Sequence, residues 1–389
     1  MKPAPVTDKN RSLAPDLARG FMLLLIAMAY APTYLFNVEV GLYTHPAGGG
    51  LPDKFVHVMS LLFLDSRAYP MFSVLFGFGM AALVVRQRSA GLPDPEIRRL
   101  VRRRGLFLLL FGFVHGVLVY GGEILGPYGI ATLLLGWLLF RQDRALKKAV
   151  LIMAPILVLT AWVLGIFMVT NDVMAPVPDY SIAGLIERIF SYPFAILFSL
   201  VLFPILLIIV IGMWAGRRGI LFKPESHVSL LKKVAFIGIP ISVAGALPIT
   251  LTEIGWWAPG VEISGLMFGV QVLTGMFGGI GYAAVFGLIS IRIQRNPGVV
   301  ARMLAAAGKR SLTCYVLQST LIAVVLSEPL FGLGGKIHSA GAALVAIGAW
   351  GVSVLFATYL EKRNQRGPLD VLLRRLVYRS GSVKGQAGG

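Results

Sequence analysis

The sequence predicts an all-α, polytopic membrane protein, a bundle of about ten transmembrane helices with both termini in the cytoplasm. Three observations carry this. Of 389 residues, 56% are hydrophobic and 14% charged, whereas soluble domains run near 25% charged. The apolar residues fall into runs close to the roughly 20 that a helix needs to cross a bilayer. Lysine and arginine gather between those runs, at alternate ends each time, as they do in cytoplasmic loops. The net charge of +18 therefore reports membrane orientation, and no nucleic-acid partner is expected. The lipid bilayer is the expected partner.

The first run, 20–36, follows Lys2, Lys9, Arg11 and Arg19. A glycine- and proline-rich loop, 37–54, leads to an apolar stretch, 55–85, interrupted by Asp65-Ser66-Arg67. This predicts a short interfacial helix and then a span from about Ala68. It ends at Arg86 and Arg88, ahead of the basic run Arg98 to Arg104. Spans are expected at 105–120 and 124–140, then at 150–169, followed by a polar loop holding Asp172, Asp179 and Glu187. The span 193–214 returns to Arg217-Arg218, and 234–251 leads to a loop with Glu253, Trp256 and Trp257. The run 263–291 carries Gly265, Gly269, Gly275, Gly278 and Gly279, which suits close helix contacts and permits a homodimer. Spans 312–330 and 340–360 complete the set. The whole of 1–389 reads as one integral membrane domain, with a cytoplasmic segment at 1–19 and a basic tail at 361–389. No secretory signal is evident, since 4–19 is polar. The single cysteine, Cys314, excludes an internal disulfide and a cysteine-based metal cluster; no metal set is expected.

The stretch 98–129 holds the candidate chemistry. His115 lies in an apolar run, Gly121-Gly122 break the pattern, and Glu123 follows at once. Ionisable groups at membrane depth are costly and invite a functional reading. Tyr128 lies as far after the glycine pair as His115 lies before it. An antiparallel hairpin would set the two at equal depth, about 10 Å below the turn, with Glu123 above them. Imidazole suits proton transfer near neutral pH, and a carboxylate would orient it. In the alternative, His115 bonds a neighbouring helix and Glu123 caps the next span. Asp16 and Arg19 are three apart and face one another on a helix, unless Arg19 snorkels. Arg67 either pairs with Asp65 or meets an anion. His45 and His57 read as surface residues, His45 within reach of an outer site. Cys314 reads as a packed thiol. The sequence shows no Walker motif, zinc spacing or GxSxG.

These motifs resemble the YeiB family of bacterial membrane proteins. LAPDLARGF is similar to its LDxLRGxAxLGIxxxN opening, and FSVLFGFGM to F-x-LLFGxG. GFVHGVLVYGGEILGPYG resembles GxxHGxxxxxxDILxxYG, placing His115, Glu123 and Tyr128 on the family's histidine, acid and tyrosine. GKRSLTCYVLQS and RGPLDVLLRRLVY resemble GxxxLTNYLxQS and GPxEWLxRxLTY. Tyr30 and Cys314 stand where the family has asparagines, and Glu123 where it has aspartate. The family is distantly similar to transmembrane acyltransferases, which pass an acyl group from cytoplasmic acyl-CoA across the membrane.

The resemblance implies a bacterial cytoplasmic-membrane protein. As an acyltransferase it would move an acyl or acetyl group from acyl-CoA, the donor substrate, to an extracytoplasmic glycan, glycolipid or metabolite. His115 would be base or acyl carrier, Glu123 its orienting acid and Tyr128 the support for the acyl oxygen. Arg19, Arg67 and Arg104 would bind CoA phosphates, with Asp16 beside Arg19 and Gln318 a polar contact. The rival is a proton-coupled transporter or exporter using His115 and Glu123; a third reading is a subunit without chemistry.

Overall fold

The computed structural model describes residues 12–39, 45–170 and 179–378. Every element among them is a helix, in the order α1 (Ala14–Tyr30), α2 (Leu51–Phe63), α3 (Ala68–Ser89), α4 (Asp94–Leu118), α5 (Leu125–Leu135), α6 (Asp143–Thr170) and α7 (Ile182–Leu202). There follow α8 (Ile205–Arg217), α9 (Val228–Glu253), α10 (Val261–Ile293), α11 (Val299–Lys309), α12 (Ser311–Leu326), α13 (Ser339–Lys362) and α14 (Pro368–Tyr378). Among the described residues, seven helical stretches are long and apolar enough to cross a membrane, and α5, α8 and α12 lie in shorter apolar ones. Large apolar side chains of α6 and α7, among them Leu151, Leu159, Phe190 and Phe194, stand 60–74% exposed. In water so broad an apolar surface would drive association; in lipid it costs nothing.

The break at Asp65 to Arg67 is where the sequence places it, between α2 and α3, with Ser66 at φ 59°. The run 193–214 is different. Proline at 204 lacks an N–H and Phe203 is extended, so the chain divides into α7 and α8. Helix α7 starts at Ile182, so Glu187 is helical rather than in the polar loop; Asp172 lies outside the described residues. The basic ends also carry more helix than expected. Helix α1 is under way by Ala14, inside the segment 1–19, and α11 covers it, with Gly308 against the Asp16 carbonyl. The basic tail folds as far as Tyr378, because Asp370 accepts from Thr313 Oγ1 at 2.7 Å and ties α14 to α12.

Glycine decides the close packing. A side chain at Gly77 of α3 would sit 2.1 Å from the Ile209 carbonyl, and one at Gly212 of α8 would sit 2.3 Å from that of Val74. Backbones can approach so closely only where there is no Cβ. Helix α10 uses its glycines on three neighbours. Gly265 and Gly269 meet α6 at Ile166 and Ala161, Gly275 and Gly279 meet Ser66, Arg67 and Met71 at the start of α3, and Gly278 meets Ser242 of α9 as well as Arg67.

Candidate functional site

The hairpin of α4 and α5 positions the predicted residues. Its register is set where Gly112 touches the Gly126 amide and Gly129 touches that of Leu109. In that register His115 is level with Glu123, and Tyr128 lies lower, near 110. The expected equal depth of His115 and Tyr128 is therefore corrected. Residues 121–124 turn back before α5 begins, so the glycine pair is not the midpoint of the hairpin.

The three residues face three different neighbours. His115 is buried on α4, and its Nε2 pairs with Ser319 Oγ of α12 at 2.9 Å. Its ring lies 5.1 Å from that of Tyr315, while Nδ1 is buried without a partner. Glu123 is buried against Gly112 and Gly116 of α4. It accepts from the Tyr192 hydroxyl at 2.8 Å and from the Gly126 amide at 2.8 Å, and from the Leu125 amide as well. It thus caps α5 rather than orienting His115. Gly112, Gly116 and Gly126 leave the slot that Tyr192 fills, since a side chain at any of them would strike its ring or hydroxyl. Tyr315 stands between the two groups, its hydroxyl accepting from Ile124 N at 3.4 Å. Tyr128 points into α3, where its hydroxyl meets Ser73 Oγ at 2.6 Å and donates to the Tyr69 carbonyl. Phe72 and Phe76 pack on its ring.

Sequence reasoning missed Ser319, Tyr315 and Tyr192, the partners of His115 and Glu123, but it had singled out Tyr30, Gln318 and Cys314. Tyr30 stacks on Tyr120 at 5.2 Å, neighbours Ser319, and holds its hydroxyl buried without a hydrogen bond. Gln318 donates from Nε2 to the Leu23 carbonyl at 2.9 Å, and its Oε1 is likewise unpartnered. Buried polar atoms are rarely left so, because each costs about 1–3 kcal/mol. Cys314, the packed thiol, points to the Ser353 carbonyl at 3.6 Å.

The candidate arginines separate. At the basic end, Arg104 feels the charges of Arg19 and Arg86 and of Asp370, and its Nε is buried without a partner. Arg19 lies 3.7 Å from Asp16, as their spacing suggests, and beside Gly79 of α3. Arg67 caps the other end of α3, 22 residues from Ser89. Its partners are main-chain carbonyls and not the Asp65 carboxylate. Its guanidinium donates to the carbonyls of Leu61, Asp65 and Ser242. Gly278 and Gly279 of α10 make its room. Arg67 therefore ties α2, α3 and α9 together and does not share a site with Arg104.

The expectation for His45 and His57 is overturned. Both are buried, at 6% and 2% exposure, because loop 45–50, α2, the end of α9 and the start of α13 converge at the end remote from the arginines. His45 Nε2 meets Asp65 at 2.7 Å. His57 meets Glu253 through Nδ1 at 3.3 Å and Ser339 through Nε2 at 2.6 Å. His338 lies 3.5 Å from Asp53 and 3.1 Å from the Ala47 carbonyl. No three of these or other described residues are arranged about one metal ion. Their sequence separations, up to 291 residues, left no local signal to read.

Fold and site define a helical membrane protein with polar groups at depth, an arginine-rich end and a histidine–carboxylate cluster at the other. Residues 215–380 match the family described as Protein of unknown function (DUF418). The chain is similar to "Uncharacterized protein YeiB" of Escherichia coli (strain K12), 26% identical over 95% of this chain and 97% of the relative. It is also similar to "Uncharacterized protein YxaH" of Bacillus subtilis (strain 168), 24% identical over 82% and 81%. A third relative, an uncharacterized 39.9 kDa protein of Bacillus acidopullulyticus, is 24% identical over 96% of each chain. No solved structure matches it. The chain is YeiB-like, as its motifs suggest.

Proposed function

We propose that this is a membrane-embedded acyltransferase, taking an acyl group from acyl-CoA at the arginine-rich end and passing it to a hydroxyl or amine acceptor at the other. In this reading the chain crosses the cytoplasmic membrane about ten times with both termini in the cytoplasm, and that end lies inside the cell. The observation that carries the reading is His115, buried with an unpartnered Nδ1 on the same helix that begins in the arginine cluster. Arg104 and His115 are 11 positions apart on α4, about 16 Å along its axis, a span suited to an extended phosphate-bearing donor. Arg19, Arg86 and Arg104 would hold its phosphates, guanidinium being matched to that geometry. His115 would take the proton of the acceptor, with Ser319 fixing its ring through Nε2. Tyr30 and Gln318 offer polar contacts beside it.

Calorimetry on the full chain in nanodiscs tests this. Saturable binding of acetyl-CoA or a longer acyl-CoA is expected, weakened in Arg19→Ala and Arg104→Ala but not in Arg67→Lys. Transfer should fall about 10²–10⁴-fold in His115→Ala, the usual contribution of a general base. An absence of binding across acyl-CoAs, with pH-coupled flux through His115, would favour the transporter instead.

A further inference from the structure

The cluster remote from the arginines contains an arrangement that the transfer reading does not use. Ser339 opens α13 with its hydroxyl 2.6 Å from His57 Nε2, and the other ring nitrogen of His57 lies 3.3 Å from Glu253 Oε1. The serine is on the nitrogen that must take its proton, and the acid is on the nitrogen that it must hold protonated. The three residues come from α2, α9 and α13, so tertiary packing alone assembles them.

We propose that Ser339, His57 and Glu253 form a nucleophilic relay that accepts an acyl group from an ester or thioester at this end of the protein. Ser339 Oγ attacks the carbonyl carbon as His57 Nε2 takes its proton, and the carbonyl electron pair moves onto oxygen. That pair returns as the bond to the leaving alcohol or thiol breaks, and the leaving group departs with the proton from His57. Water or an acceptor hydroxyl then repeats the sequence on the acyl-serine and restores Ser339. Glu253 holds the His57 Nδ1–H throughout.

Ser339 and His57 are 1% and 2% exposed, with the loop that follows His45 beside them. His45 places its ring 5.0 Å from that of His57, and the loop runs on through Gly48 and Gly49, both exposed and both at positive φ. The Ala47 carbonyl is pinned to His338 Nε2 at 3.1 Å, and Gly50 N to Asp53 at 2.9 Å. Loosening that pin exposes the serine. The relay stands independently of acyl-CoA, because no group in it belongs to the arginine cluster or to the surroundings of His115.

The test is a fluorophosphonate probe on the purified full chain in detergent, with the modified residue located by peptide mass spectrometry. Adduct on Ser339 is expected, absent in Ser339→Ala and slowed at least ~100-fold in His57→Gln, as when the base of such a relay is lost. His338→Ala should label several-fold faster than wild type. A role for Ser339 in packing alone would produce no adduct and no such acceleration. Should His57→Gln fail to fold, Ser339→Cys replaces it: its thiol should be alkylated well ahead of the buried Cys314. The proposal is overturned by monodisperse protein that takes no probe on Ser339 even as His338→Ala. It is equally overturned by labelling that His57→Gln leaves unchanged, or by a Ser339→Cys thiol no faster than Cys314. Acyl-CoA binding is measured separately, so failure of one reading leaves the other standing.

Discussion

Arg67 and His45 show how far a residue's role depends on its partners. The sequence offers Arg67 an aspartate two positions back, yet the guanidinium takes that residue's carbonyl and two others. A planar fork of five donors can satisfy several carbonyls at once, while the Asp65 carboxylate is taken up by His45. His45 is the converse, a loop residue that turns out to be enclosed. Burial works against its charged form, but the Asp65 carboxylate at 2.7 Å, aided by Glu253, outweighs it and raises the His45 pKa above the ordinary 6.5. A raised pKa means that the folded state binds the proton more tightly. The stabilisation is therefore complete below the ordinary histidine range and is lost as pH rises through the raised value. The melting temperature of the purified protein should fall on the alkaline side of that range, and Asp65→Asn should remove the step. Superimposable pH profiles for the two proteins would refute this linkage.

At the scale of elements, the apolar runs, the break before α3 and the glycine-rich α10 were all legible, because each is a local pattern with a local cause. The division of α7 from α8 was legible in principle at Pro204; the continuity of apolar residues across it concealed the break. Helices α11 and α14 were hidden for another reason. Their basic residues read as loop and tail, and only their packing on α1, α4 and α12 makes them worth forming. The glycines were visible as a composition, but their partners were not. Gly212→Leu should force α3 and α8 apart and cost about 1–3 kcal/mol, the usual penalty of overpacking. Gly351→Leu, with nothing within 4 Å of the added carbon, is the control. Thermal unfolding in nanodiscs should separate the two variants, and equal midpoints would mean that this close approach is not rigid.

For the whole molecule, the alternation of basic clusters makes one orientation far better than its inverse. Trp256, 80% exposed beyond α9, and Arg295, exposed beyond α10, should lie on opposite faces of the membrane. In intact cells a membrane-impermeant maleimide should label Trp256→Cys, and should reach Arg295→Cys only after permeabilisation. The buried Cys314 supplies little background. The reverse pattern would invert the topology and remove acyl-CoA from the arginine-rich end.

The sequence by itself determined that this chain is a helical membrane protein, where most of its helices run, which ends carry the arginines, and its likeness to YeiB. Those properties follow from hydropathy and charge, which are sums over neighbouring residues. It also marked His115, Glu123 and Tyr128 as notable, since polar groups stand out in an apolar run. Only the tertiary structure decided that these three face different helices, because rotation about a helix axis and hairpin register are set by packing. It alone brought His57, Glu253 and Ser339 together from three distant segments, as a hydrogen bond of 2.6 Å and a nitrogen–carboxylate approach of 3.3 Å require a geometry that no local pattern encodes.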